Sequence, residues 1–187
     1  MIFPKIYNCL NQNEFVIEDY KLVPIRYEDR FTIMKWRNEQ MYHLRQDKPL
    51  TEIVQEDYFT KTIVQLFSTE KPSQILFSFL KNDQLIGYGG LVHINWIDKN
   101  AEISFIMNTE LEDEFFQLLW SNFLKMIESL AFEELNFHKI YVYAFDLRPH
   151  LYKVLLKSNY FKDATLNEHS FFDNQFIDVI IYSKLKL

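Results

Sequence analysis

His93 and Glu102 are of types suited to proton transfer near neutral pH, and their spacing brings them to one small surface. They lie in residues 85–96 and 101–107, two stretches that read as strands joined by a short turn rich in Asn and Asp. Side chains alternate between faces along a strand. If Trp96 pairs with Ala101, Asn95 faces Glu102 and His93 faces Ser104. His93, Asn95, Glu102 and Ser104 then form a polar patch. Gly90, Val92, Ile94 and Trp96, with Ala101, Ile103, Phe105 and Met107, form the apolar face behind it. A one-residue slip would scatter the patch. A solvated sheet face carrying ordinary polar residues is the competing reading of the same pattern.

A second group of interest is locally basic. Lys35, Arg37, Arg45 and Lys48 cluster in sequence, with Asn38, His43 and Gln46 between them. In a chain of net charge −6 such a segment suits an anionic ligand. It equally suits a structural role, with Trp36 in the core, Arg37 on a surface carboxylate and Asn38 ending a helix. The acidic total argues against nucleic acid as a partner. His138, His150 and His169 have no metal-ligand spacing with Cys9 or with one another, so no metal is expected. No phosphate-binding loop, dinucleotide fingerprint or serine-nucleophile elbow is present. A lone cysteine fits a reducing compartment. The N-terminal residues lack the pattern of a signal peptide, and no apolar run is long enough for a membrane span. A cytoplasmic location is the expectation.

The elements that must position these residues follow from periodicity. The 187 residues fit one domain, 1–187, of α/β (α+β) class. Residues 15–17 and 21–26 read as strands, with Pro24 suggesting an edge. Residues 28–38 read as a helix with Ile33, Met34 and Trp36 inward. Thr51 is placed to cap a second helix reaching Phe67, with Ile53, Val54, Tyr58, Ile63, Val64 and Phe67 as its apolar members. Residues 74–80 form the first strand of a meander that continues through the two strands above. The strongest helix runs over 110–134, where Phe116, Trp120, Phe123, Ile127 and Leu130 repeat at three or four residues. Thr109 and Glu112 have the spacing of a capping box at its start. A strand at 138–145 and a helix at about 146–157 follow, with Asp146 as the cap and Pro149 in the first turn. A hairpin of 164–168 with 175–183 closes the chain.

This order resembles the GNAT superfamily of N-acetyltransferases over nearly the whole chain. Leu22-Val23-Pro24-Ile25-Arg26, then Trp36-Arg37-Asn38, is similar to the opening of the branch containing ribosomal-protein and sugar-nucleotide acetyltransferases. Leu85-Ile86-Gly87-Tyr88-Gly89-Gly90-Leu91, then Ala101-Glu102-Ile103-Ser104-Phe105, is similar to its central hairpin. Phe161 and Asp178-Val179-Ile180-Ile181-Tyr182-Ser183 resemble its closing strands. The resemblance implies a mixed, mostly antiparallel sheet of about seven strands with helices on both faces. It implies acetyl-CoA in a wedge between residues 101–107 and 138–145, held by Phe105, Ile106 and Met107, with Arg148 placed to meet a phosphate. It implies transfer of acetyl to the amine of a small-molecule acceptor, a sugar nucleotide or other small anionic amine. Glu102 takes the position of the general base, and Tyr152 is the tyrosine nearest the position of the general acid. Arg37, Asn38, His43, Arg45, Gln46 and His93 fall on the acceptor side. The aromatic closing hairpin is a candidate homodimer surface.

The chain departs from the family pattern at the start of the long helix. Residues 108–114 carry no glycine and four carboxylates, Glu110, Glu112, Asp113 and Glu114, where the family binds a pyrophosphate. Pro149, Leu156 and Tyr160 replace residues usual in the family. A non-catalytic binding protein on the same fold, without the usual pyrophosphate site, is the alternative function.

Overall fold

The computed structural model describes residues 2–187. Eight strands form one sheet in the order β1-β2-β3-β4-β5-β6-β8-β7. They are β1 (Phe15–Ile17), β2 (Tyr20–Pro24), β3 (Ile75–Lys81), β4 (Gln84–Asn95), β5 (Asn100–Met107), β6 (Lys139–Phe145), β7 (Phe161–Phe172) and β8 (Gln175–Leu185). Every pairing is antiparallel except β5 with β6. The helices are α1 (Arg30–Glu39), α2 (Glu52–Asp57), α3 (Val64–Ser68), α4 (Glu112–Glu128) and α5 (Pro149–Lys157). π-helical turns join α2 to α3 (Tyr58–Ile63) and extend α4 (Ser129–Glu134).

The period of two along β3 sorts the layers. Phe79 faces α4, where its ring meets Phe123, and Phe105 of β5 stacks on the same Phe123 at 4.0 Å. Ser78 points the other way and donates to Asp29, which immediately precedes α1. Helices therefore cover both faces. Gly89 permits the α4 side to close: a Cβ there would lie 2.1 Å from the Ser104 carbonyl and 2.8 Å from Phe123. Pro24 sits beyond the last β1 partner, so β2 is locally an edge where its missing N–H falls.

Several expectations change in detail. Thr51 does cap α2, accepting from the Val54 amide. Ile53 and Val54, however, are exposed, and Gln55, Phe59, Ile63, Leu66 and Phe67 turn inward. The π turn holds an extra residue per turn and so shifts the phase of the apolar stripe. Thr109 and Glu112 form no capping box. Asn108 accepts from the Glu110 amide instead, Thr109 donates to Glu39, and Glu112 pairs with Arg148. Asp146 does not cap α5; its carboxylate accepts from Tyr152. The closing hairpin is longer than expected, because Asp173 and Asn174 make a tight turn with both residues at positive φ.

Candidate active site

The central feature is a break in the sheet. β5 and β6 pair only at Asn100, Ala101 and Glu102 against Lys139, Ile140 and Tyr141. β5 then stays with β4 to Met107, and β6 stays with β8 to Phe145. The strands diverge around a cavity of about 300 Å³. Ile103, Ser104 and Phe105 line one wall and Val142, Tyr143, Ala144 and Phe145 the other, with Trp120 and Leu151 behind. Beyond Glu102 and Tyr141 the two facing strand edges have no ladder partner in each other. Their backbone donors and acceptors are available to a guest.

At the root of the gap, Glu102 is buried and engaged twice. His93 Nδ1 lies 2.9 Å from its Oε2, and Arg45 donates to its Oε1. The arrangement depends on a bulge. Val92 pairs with Glu102 and Asn95 with Asn100, so β4 advances three residues while β5 covers two. His93 takes up the extra residue at φ 47°, which turns its ring onto the Glu102 face. The register is thus not the expected one. Trp96 does not pair with Ala101, nor Asn95 with Glu102, nor His93 with Ser104; Gly90 is the partner of Ser104. Val92 and Gly90 therefore share the face of Glu102 and Ser104. Asn95 leaves the patch because its Oδ1 accepts from the Ile97 and Asp98 amides and shapes the turn. His93 still meets Glu102, through the bulge.

The loop after α1 closes over this corner. Arg45 bonds Glu102 on β5 while its guanidinium lies 4.5 Å from the Tyr143 ring on β6, so it spans the gap. Arg37 and His43 also line the cavity. Asn38 and Gln46 do not. Asn38 holds both the N–H and the C=O of Leu50, and Gln46 bridges Asn38 and Arg37. They brace the loop rather than face a ligand.

At the other end of the gap, Arg148 is buried. Its Nη2 donates to Glu112 at 2.6 Å, its Nη1 donates to the His43 ring at 2.9 Å, and its guanidinium lies 5.0 Å from the Phe116 ring. Its Nε has no partner. Burial lowers the Arg148 pKa and raises that of Glu112, each outweighing the attraction between them. Burial, and then the Arg148 charge, push His43 down to about 3. An unfolded His43 binds a proton near the ordinary value of 6.5, so between that pH and about 3 the unfolded chain holds more protons. Stability contributed by neutral His43 is present above pH 6.5 and is lost as pH falls through this window. Its slope is at most about 1.4 kcal/mol per pH unit. Glu112, pushed up by burial, acts with the opposite sign. The readout is therefore a difference: urea unfolding of His43→Gln should fall less steeply from pH 6.5 to acid than the parent.

A second cavity, of about 340 Å³, adjoins the first between the sheet and α1, α2 and the π turn. Arg37, Gln74, Val92 and Ser104 line both cavities, and Tyr58 and Tyr88 line the second. Arg37 donates to the Tyr88 hydroxyl at 2.7 Å. Tyr88, Gln74 and this cavity were not anticipated from the sequence; with the true register, Tyr88 follows from Glu102 by strand alternation.

A model of the acetyltransferase (GNAT) domain matches residues 22–181. The chain belongs to the GNAT acetyltransferase family. Among solved structures, this GNAT protein is similar to a Vibrio cholerae spermidine N-acetyltransferase in complex with CoA and spermine. The TM-score is 0.77 at 21% identity, covering 91% of this chain and 97% of that one. It is also similar to a dodecameric form of spermidine N-acetyltransferase from Vibrio cholerae, with a TM-score of 0.72 at 21% identity, covering 91% and 95%. At such identity these establish the fold. No match emerges among curated protein sequences.

For a GNAT enzyme the remaining expected residues divide clearly. Phe105 and Arg148 line the cavity, whereas the Ile106 and Met107 side chains are buried outside it. The Met107 carbonyl instead accepts from Gln40 and pins α1 to β5. Tyr152 also lies outside. Its ring stacks on Tyr182 and its hydroxyl donates to Asp146 at 2.9 Å, so it does not stand over the gap as an acid. Burial and the Asp146 carboxylate raise its pKa further from use. Among the described residues no cluster suits a metal ion, and no helix is long and apolar enough to cross a membrane.

Proposed function

We propose that this protein transfers an acetyl group from acetyl-CoA to the amine of a small anionic acceptor. The observation that carries the reading is the gap between β5 and β6 with the His93–Glu102 pair at its root. Acetyl-CoA, when bound, supplies an activated acyl carbonyl. The unpaired strand edges suit its amide-bearing arm, and fixed backbone donors there favour charge developing on the carbonyl oxygen. Its pyrophosphate is assigned to Arg148, whose orphaned Nε supports a role in meeting an added acceptor.

Proton removal falls to the pair rather than to Glu102 alone. Both carboxylate oxygens of Glu102 are occupied, one by Arg45 and one by His93 Nδ1. His93 is 60% exposed, and its Nε2 has no partner among the described residues. Glu102 holds the ring with Nδ1 protonated, and Nε2 takes the proton from the acceptor amine. Arg37 and Arg45 supply positive charge on the acceptor side. The branch of sugar-nucleotide and ribosomal-protein acetyltransferases remains part of this proposal on motif grounds. A homodimer is proposed over the hairpin tip, where Phe171 and Phe176 meet edge to face and are each 64% exposed.

One observation favours a second reading, a binding protein without catalysis: Glu112 already neutralises Arg148 where the pyrophosphate would lie. Following thiol release from acetyl-CoA against a panel of amines separates the two. Acceptor-dependent thiol release is expected. Release that no amine accelerates, in a protein that still binds acetyl-CoA, would support the second reading.

A further inference from the structure

The second cavity carries information about the acceptor. Its walls are largely apolar: Ile25, Ile33, Leu50, Phe59 and Leu76 among them, with Val54 on the rim 51% exposed. No Asp or Glu is among the described residues that line it. Its polar members are mostly committed to one another or to backbone. Gln55 donates to the Arg30 carbonyl, and Gln74 donates to the Tyr58 hydroxyl. A site built for a polyamine needs carboxylates to receive ammonium groups, because a buried cation without a partner is costly. This cavity offers none.

Arg37 is the exception in the wall. It lines both cavities, so it stands where they meet. Nε donates to Gln46 and Nη1 to the Tyr88 hydroxyl, which leaves Nη2 without a partner among the described residues. Among the described residues no carboxylate forms an ion pair with it, and both of its hydrogen-bond acceptors, the Gln46 amide oxygen and the Tyr88 hydroxyl, are neutral. A guanidinium in a partly buried site, held by two neutral groups, is a cation waiting for an anion. Val92 and Ser104 are also shared by both cavities, and His93 is next in sequence to Val92. Three requirements thus meet around one junction: a carboxylate for Arg37, an apolar body for the second cavity, and an amine toward His93.

We infer that the acceptor is an amino carboxylate with an apolar or aromatic side chain, of the kind exemplified by the hydrophobic α-amino acids. In such a molecule the amine and carboxylate share one carbon. Both can then sit at the junction while the side chain fills the second cavity. The inference deepens the acetyl-transfer reading and rests on it for the role of the amine, but the binding site itself can be tested without acetyl-CoA.

The test is calorimetric titration of the full chain, in the absence of acetyl-CoA, with L-phenylalanine, 3-phenylpropionate, phenethylamine and spermidine. Phenylalanine should bind, and phenylpropionate should keep most of that affinity. Phenethylamine and spermidine, which lack the carboxylate, should bind weaker by about ten-fold or more. Arg37→Gln should remove the preference for the carboxylates. Since Arg37 also braces the loop, Val54→Asp on the exposed rim is the second variant. It should weaken phenylalanine by about ten-fold at an unchanged melting temperature. Spermidine or phenethylamine binding as well as phenylalanine would overturn the inference, as would the absence of binding by either carboxylate at millimolar concentration. Phenylalanine binding in a protein that fails to bind acetyl-CoA would uphold this site and sink the acetyl-transfer reading instead.

Discussion

His93→Ala is expected to lower kcat by about 10²–10³-fold, within the range a positioned proton acceptor contributes. The affinity for acetyl-CoA should change little, because the ring sits at the root of the gap and Arg148 at its other end. Glu102→Gln should lower kcat as well, by removing the charge that orients the ring and stabilises it when protonated. The two losses should not add, since both residues serve one proton path. A readout specific to the role is chemical rescue: imidazole added to His93→Ala should restore part of the rate, and added to Glu102→Gln should restore less. The bulge supplies a further check. Deleting Ile94 would remove the extra residue of β4 and return the ladder to plain alternation, costing activity by moving the ring off Glu102. If His93→Ala turns over like the parent, the pair is a structural contact and the base lies elsewhere.

The second large effect concerns stability. Glu112→Ala leaves the Arg148 guanidinium buried without its anion, which should cost about 3–5 kcal/mol. For a chain of this size that is a fall of roughly 10 °C or more in melting temperature. Acetyl-CoA should then raise the melting temperature of Glu112→Ala by more than it raises that of the parent, because its pyrophosphate restores the missing anion. The double variant Glu112→Leu with Arg148→Met should recover much of the loss. Buried ion pairs are often matched or exceeded by apolar packing of similar volume. It should do so while losing affinity for acetyl-CoA. Stability regained with affinity also intact would mean that the Arg148–Glu112 pair is only a packing element. On our reading Glu112 is an internal counter-ion that keeps a buried arginine in place at the glycine-free start of α4.

The sequence carried the element types because each rests on local periodicity. α4 shows its three-and-four spacing, the meander shows its turns, and Thr51 caps where a cap was expected. What it did not carry were features set by single extra residues. The His93 bulge displaces the ladder between Val92 and Asn95, and no periodic pattern announces an inserted residue. The π turn at Tyr58–Ile63 does the same for the helix and sends Ile53 and Val54 outward. Nor was the partner of Glu112 legible. A capping box and an ion pair to Arg148 use the same residue type, and only the approach of the β6–α5 turn to α4 decides between them. Glu102, His93, Arg37, Arg45 and Arg148 were legible as residue types, and the structure places all five around the gap. Their partners, and the cavity behind Arg37, depend on long-range packing. Tyr152 shows the reverse case: expected at the gap, it lies outside the cavity with its hydroxyl spent on Asp146.

Calorimetric titration of acetyl-CoA into the unmodified protein, followed by a melting curve at saturation, tests the account most directly. The prediction is one-site saturable heat and a stabilisation of about 2.7 kcal/mol at about one hundred times the dissociation constant. No heat and no shift in melting temperature at millimolar acetyl-CoA would contradict it.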